Sequence, residues 1–175
     1  TKLRMDDAPL GVSEDLKHDR KPLEYTPEGV PPERVPADEL EREAREDFGI
    51  ALAHLQRGNR SMAKAMIEAL ADMEGDFTPE HKHMFNDFGI DLRKNSLPEA
   101  SIRLYARAME LSPEDEHILH NMARAYFEMG ELESAKDYLE KSLQMNPLLL
   151  ESKLFLEYIA KNRRKLEAKR NAYHF

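Results

Sequence analysis

Cysteine is absent from the 175 residues of this chain, so neither a disulfide bond nor a thiolate metal site can form. This absence suits a reducing compartment, and we expect a cytoplasmic location. Because the sequence opens on Thr1, a periplasmic or anchored location would apply if an N-terminal leader has been removed. No apolar run approaches the length that spans a bilayer, and we expect no membrane insertion.

Motifs that carry catalysis are also missing. The sequence has no glycine-rich phosphate loop, no nucleophile elbow and no paired His–Glu motif of the metalloprotease type. Acidic residues are abundant, but on amphipathic helices they form the expected outer face. We therefore expect a protein that is not an enzyme and that uses no cofactor.

A basic surface is lacking over most of the chain, whose formal net charge is −8. Residues 1–36 carry 6 basic and 8 acidic side chains (−2), residues 37–150 carry 13 and 23 (−10), and residues 151–175 carry 7 and 3 (+4). Nucleic-acid binding needs a basic face, so we expect no nucleic-acid partner. The basic run from Lys161 to Lys165 is interpreted as the solvated end of a helix, with contact to nucleic acid or anionic lipid as the weaker alternative.

What the chain does contain is a repeat. Pro79, Pro113 and Pro147 stand 34 residues apart, and the residues between them recur with the same period. The matching pairs are Phe85 with Leu119, Phe88 with Met122, Gly89 with Ala123, Leu92 with Tyr126, Ser101 with Ala135, and Tyr105 with Leu139. A sustained period of this length indicates a solenoid, in which each unit buries its apolar face by stacking on its neighbours.

The repeated residues resemble the tetratricopeptide repeat (TPR) family. The resemblance rests on the run from Asn121 to Tyr126 and on Gly130, Ala135, Leu139, Asn146 and Pro147. It implies an all-α fold, namely a right-handed superhelical solenoid of antiparallel helix pairs, and a function in protein binding.

We divide the chain into a tail and a repeat domain. Residues 1–36 contain six prolines and lack apolar periodicity, so we predict a proline-rich extended tail. Residues 37–175 are predicted to form the TPR-like domain. Its repeats are expected at about 38–77, 78–111 and 112–146, with a capping helix at about 147–170. We predict seven helices, three of them starting at Pro79, Pro113 and Pro147.

In TPR proteins the first helix of each repeat lines a concave groove that binds peptides. By this resemblance the peptide-binding residues are Asn86, Ile90, Arg93, His117, His120, Asn121, Arg124, Phe127 and Tyr158, with Arg45, Leu52 and Gln56 as weaker candidates. Arginine, asparagine and aromatic side chains suit the recognition of peptide backbone and carboxylates. We expect Arg124 and Asn121 to point away from the core, so that Arg124→Ala weakens binding with little change in melting temperature. The alternative to peptide binding is that these residues form a face that is merely solvated.

Two functions follow from this interpretation. The leading one is a noncatalytic scaffold that binds a peptide or protein segment in the groove, and the alternative is an assembly or secretion chaperone that shields a client segment. The subset of the family that binds chaperone C-termini is not matched, because Glu151 and Phe155 stand where basic groups are needed. A metal site at His81, His83, His117 and His120 would lack an evident supporting set of ligands, and we expect none.

The tail has a predicted role of its own. Its apolar and acidic residues, with prolines that favour extended conformations, suit packing on a repeat surface. We hypothesise that residues 1–36 bind the groove of their own chain, or that of a neighbouring copy in a homo-oligomer. Deleting them should raise partner affinity or convert an oligomer to a monomer, whereas no change in either would leave the tail a passive linker.

Overall fold

The computed structural model describes residues 39–172, which are helical except for short connections. The helices are α1 (Glu39–Gln56), α2 (Arg60–Ala71), α3 (Lys82–Lys94), α4 (Pro98–Leu111), α5 (Glu116–Glu128), α6 (Leu132–Met145) and α7 (Leu150–Ala172). No strand occurs within this range, and the predicted all-α fold is confirmed. The tail predicted for residues 1–36 lies outside the described residues, and its role stays a prediction.

Pro113 and Pro147 do not begin helices, which corrects the predicted starts, whereas Pro79 begins a 3₁₀ helix (Pro79–His81) that leads into α3. The helices expected at Pro113 and Pro147 begin three residues later. At α5 the reason is Asp115, whose Oδ1 accepts hydrogen bonds from the backbone N–H groups of His117 and Ile118 at 3.1 Å each. A carboxylate in this position satisfies donors that a helix N-terminus leaves open, so the cap sets the start and Pro113 stays in the preceding turn.

The helices α1 and α2 belong to one compact unit, which ends at Phe77. Ala44, Phe48 and Ala51 of α1 are buried, as are Ala63, Ile67 and Leu70 of α2. Gly58, with a φ of +81°, provides the left-handed turn between the two helices. Asp47 stands where later repeats have an apolar residue, and it is exposed.

The helices α3 to α7 belong to the second compact unit, whose described part is residues 78–172. The helices α3, α5 and α7 lie side by side, since α5 contacts α3 on one side and α7 on the other. The helix α4 packs against α3 and α5, and α6 packs against α5 and α7. The first helices of successive repeats therefore form one layer, and the second helices form another.

Close contact between the layers depends on small residues. Gly89 of α3 lies directly against the ring of Tyr105, which is fully buried on α4. Further along, Ala123 and Ala135 are buried in one apolar cluster with Leu139 and Phe155. The repeat residues that the period identifies thus bring the first and second helices together.

Candidate functional site

All nine predicted peptide-binding residues lie on α3, α5 and α7, and we call this group of residues the α3–α5–α7 face. Its members are Asn86, Ile90 and Arg93 on α3, His117, His120, Asn121, Arg124 and Phe127 on α5, and Tyr158 on α7. The three weaker candidates lie on α1 in the other unit. There Arg45 pairs with Glu41 at 2.7 Å, Leu52 is half-buried and Gln56 is exposed.

Polar side chains join α5 to α3 across this face. The side-chain amide of Asn121 donates to Oδ1 of Asn86 at 3.0 Å. Arg93 forms a buried ion pair and hydrogen bond with Glu128. Both pairs cross from one first helix to the next, so they fix how the two helices are placed against each other.

Aromatic rings join α5 to α7. The ring of Phe127 lies 5.2 Å from that of Phe155 and 6.1 Å from that of Tyr158, in edge-to-face arrangements. The ring of His120 lies 6.0 Å from Phe155. Edge-to-face rings at these separations attract each other beyond the area that they bury, and they hold Tyr158 of α7 against Phe127 of α5.

His120 heads a chain of hydrogen bonds that runs away from the face. Its Nδ1 lies 2.9 Å from Oγ of Ser152, which lies 2.9 Å from Oγ of Ser142. The Ser142 hydroxyl donates to the backbone carbonyl of Glu116 at 2.9 Å. Since that bond uses the only proton of Ser142, Ser152 donates to Ser142, and Nδ1–H of His120 must donate to Ser152.

Burial and positive charge keep the His120 ring neutral. Desolvation is the main cause that lowers its pKa, and Arg124, His117 and Arg93 add repulsion of the charged form, so the pKa falls to about 3. A neutral imidazole with its proton on Nδ1 has an unprotonated Nε2, which can only accept a hydrogen bond.

The direction of the hydrogen bond between His120 and Ser152 decides whether the histidine could activate the serine as a nucleophile. A serine nucleophile needs a neighbouring base that accepts its proton. Here Ser152 accepts from the ring instead, and neither Ser142 nor Ser152 is exposed to solvent. The relay therefore holds the His120 ring in place and does not activate a serine.

The prediction that Arg124 and Asn121 point away from the core is wrong. Only 1% of Arg124 is exposed and none of Asn121. The physical reason at Asn121 is that α3 lies against α5 and covers the helix surface beside the apolar stripe. Substitution of these residues will therefore cost stability as well as any binding, contrary to the expected constant melting temperature. The alternative of a solvated face does not fit such side chains.

The other members of the face divide by exposure. Asn86, Ile90, Arg93, His120 and Phe127 are buried, whereas His117 and Tyr158 are half-buried. Sequence reasoning missed Glu128, although a signal was present. Glu128 follows Arg93 by 35 residues, the same separation as Asn121 from Asn86. A search for polar pairs at one period plus one residue would have found both contacts.

Between residues 39 and 172, no three histidine, aspartate or glutamate side chains are grouped so that they could hold a metal ion. None of the helices in that range combines the length and the apolar character that a membrane span requires.

Comparison with known proteins finds one family model that matches part of the chain. Residues 82–147, which include α3 to α6, match the model of the tetratricopeptide repeat. No curated protein matches the sequence.

Solved structures that are similar to this chain at low identity include the following three. The type III secretion translocator chaperone SycD of Yersinia enterocolitica has a TM-score of 0.43 and 15% identity, over 76% of this chain and 98% of that one. PcrH from Pseudomonas aeruginosa has a TM-score of 0.40 and 16% identity, over 73% and 92%. PcrH in complex with the chaperone binding region of PopB has a TM-score of 0.41 and 14% identity, over 69% and 94%.

Proposed function

We propose, from the tetratricopeptide repeats that residues 82–147 carry, that the protein is a noncatalytic scaffold that binds a peptide or protein segment at the α3–α5–α7 face. The observation that carries the proposal is the composition of this face. It gathers arginine, asparagine, histidine and aromatic side chains from three helices that are distant in sequence. Such side chains provide both hydrogen bonds to a peptide backbone and apolar contact to its side chains.

The charge of the face favours a partner that brings acceptor groups. Residues 37–150 have a net charge of −10, yet Arg93 and Arg124 both lie close enough to His120 to lower its pKa. Arg93 is balanced by Glu128. The guanidinium groups of Arg93 and Arg124 thus lie near each other on this face, and guanidinium groups suit carboxylates or carbonyl groups of a bound segment.

Removing the charge of Arg124 should weaken partner binding. The substitution Arg124→Met keeps most of the buried volume and removes the guanidinium, and we expect affinity to fall by about 1–3 kcal/mol, roughly 5- to 150-fold. Immobilised full-length protein captures partners from a cell lysate, mass spectrometry identifies them, and titration with the purified partner gives the affinity. Thermal unfolding of each variant measures the accompanying loss of stability.

Arg163→Met is the matched control. Arg163 is exposed on α7 and pairs with Glu133 at 2.7 Å and Glu167 at 2.9 Å. Exposed ion pairs contribute little to the free energy of unfolding, so this variant should bind the partner and unfold like the parent protein. Equal binding by folded Arg124→Met and Arg163→Met would show that the segment binds elsewhere. Retention of one unfolded client at a fixed stoichiometry would favour an assembly or secretion chaperone over a scaffold.

A further inference from the structure

A groove between α1 and α2 combines apolar and acidic side chains, and we call it the α1–α2 groove. Its volume is about 390 Å³, and its lining residues are Glu43, Asp47, Met66, Ala69, Leu70 and Met73. Leu70 is buried and the two methionines are half-buried, whereas both acidic residues are exposed. The groove therefore has an apolar floor on the α2 side and an acidic edge on α1.

The apolar lining continues beyond the groove on both helices. Met62 precedes Met66 by four residues and is 55% exposed, and Ile50 follows Asp47 by three residues and is 50% exposed. Residues three or four apart lie on the same face of a helix, so both side chains extend the groove. From Met62 to Met73 the apolar row covers about three helical turns. Large apolar side chains that are exposed side by side mark an interaction surface.

The acidic edge is not neutralised within the described part of the chain. Glu43 and Asp47 form no ion pair among residues 39–172. The arginines of α1 do not serve them, because Arg42 and Arg45 pair with other glutamates of the helix at 3.3 and 2.7 Å. A partner that carries lysine or arginine beside an apolar surface would therefore complement both parts of the groove.

We infer that the α1–α2 groove binds an amphipathic helix of a partner protein, one whose apolar stripe is flanked by lysine or arginine. A helix satisfies its own backbone hydrogen bonds, so it can lie against apolar side chains that offer neither donors nor acceptors. Methionine suits such a floor because its flexible, polarizable side chain adapts to apolar partners of different shape. The groove belongs to the compact unit that ends at Phe77, which contains no residue of the α3–α5–α7 face, so the inference does not depend on the proposed function.

Charge and burial favour a partner protein over other segments of this chain. In a second copy, Lys161 and Lys165 of the basic α7 are exposed, but the large apolar residues Ile159 and Leu166 are buried in the core of that copy. That helix would bring positive charge without an apolar stripe. Residues 1–36 carry 8 acidic and 6 basic side chains, and this net charge does not complement an acidic edge.

A synthetic amphipathic peptide tests the inference on the full-length protein. The probe is a peptide of about four helical turns, built from leucine and lysine so that the leucines form one stripe of the helix. Its control has the same composition in an order that leaves no stripe. At physiological salt concentration the parent protein should bind the amphipathic peptide about tenfold more tightly than the control peptide, as measured by fluorescence anisotropy. Equal affinities would contradict the inference, because charge alone would then explain the binding.

Reversal of the two carboxylates tests the acidic edge. Glu43→Lys combined with Asp47→Lys should weaken binding of the amphipathic peptide about tenfold. Glu99→Lys combined with Asp137→Lys is the matched control, since it makes the same change in net charge at exposed helical positions outside the groove, and its affinity should stay within about twofold of the parent protein. An equal loss in both variants would contradict the inference. Self-association of the parent protein in sedimentation experiments, if Glu43→Lys with Asp47→Lys abolishes it, would identify a second copy as the occupant and overturn the inference.

Methionine methyl resonances locate the bound peptide. In full-length protein labelled with ¹³C at these methyl groups, the signals of Met66 and Met73 should shift on titration, while those of Met122 and Met145 stay in place. Met66→Gln should weaken binding about fivefold, because an amide replaces apolar surface, whereas Met145→Gln changes an exposed methionine of α6 and should not. Circular dichroism checks that each variant is folded. Shifts at Met122 or Met145 without shifts at Met66, or equal affinities of the two variants, would overturn the inference.

Discussion

Gly89→Ala should lower the free energy of unfolding by about 3 kcal/mol. A Cβ at this position would lie 2.8 Å from Cζ and 2.5 Å from Cδ1 of Tyr105, which is closer than non-bonded carbons approach. The ring cannot move aside easily, because Tyr105 is fully buried. The α3 and α4 helices would have to separate, and the contact between the two layers would weaken.

Gly49→Ala is the control for this substitution. Gly49 is in the exposed part of α1, and a Cβ there meets nothing within 4 Å. Alanine favours a helix over glycine by about 1 kcal/mol, so this variant should be slightly more stable than the parent protein. Urea unfolding followed by circular dichroism measures both values, and equal effects of the two substitutions would contradict the close packing at Gly89.

Acid should destabilise the protein through His120. The ordinary pKa of 6.5 applies in the unfolded chain, whereas burial and the nearby cations lower the folded value to about 3. Below pH 6.5 the unfolded chain therefore binds a proton that folded His120 does not bind. The free energy of unfolding therefore has its full value above pH 6.5. It decreases as the pH falls toward about 3, by an amount on the order of 5 kcal/mol.

The measurement is the free energy of unfolding of full-length protein between pH 7 and pH 4. His120→Gln has no titrating group at this place, so its stability should fall less steeply over the same range. Equal slopes for the parent protein and His120→Gln would show that His120 is not held neutral.

The 34-residue period predicts which residues form the close helix contacts, and Gly89 against Tyr105 is one example. The period is informative because small and large residues alternate between neighbouring helices in every repeat. Helix starts were predicted less well. Proline is tolerated in the first turn of a helix but does not define it, and at α5 the Asp115 side chain decides.

The exposure of Arg124 and Asn121 was predicted less well than the helix starts, because both side chains are buried. Whether Asn121 is exposed depends on the neighbouring first helix, which provides Asn86 from 35 residues away. The relay behind His120 was not predictable either, because Ser142 and Ser152 meet only where α6 turns into α7. Neither residue belongs to a motif, so only the folded arrangement shows what holds the ring.

Photochemical cross-linking tests the central claim that partners bind at the α3–α5–α7 face. The half-buried Tyr158 belongs to this face, and the half-buried Tyr138 lies on α6, where it stacks on Tyr126. Each is replaced in turn by p-benzoylphenylalanine in the full-length protein, which is then irradiated with its captured partner. We expect a covalent adduct from position 158 and none from position 138, and the reverse result would contradict the account.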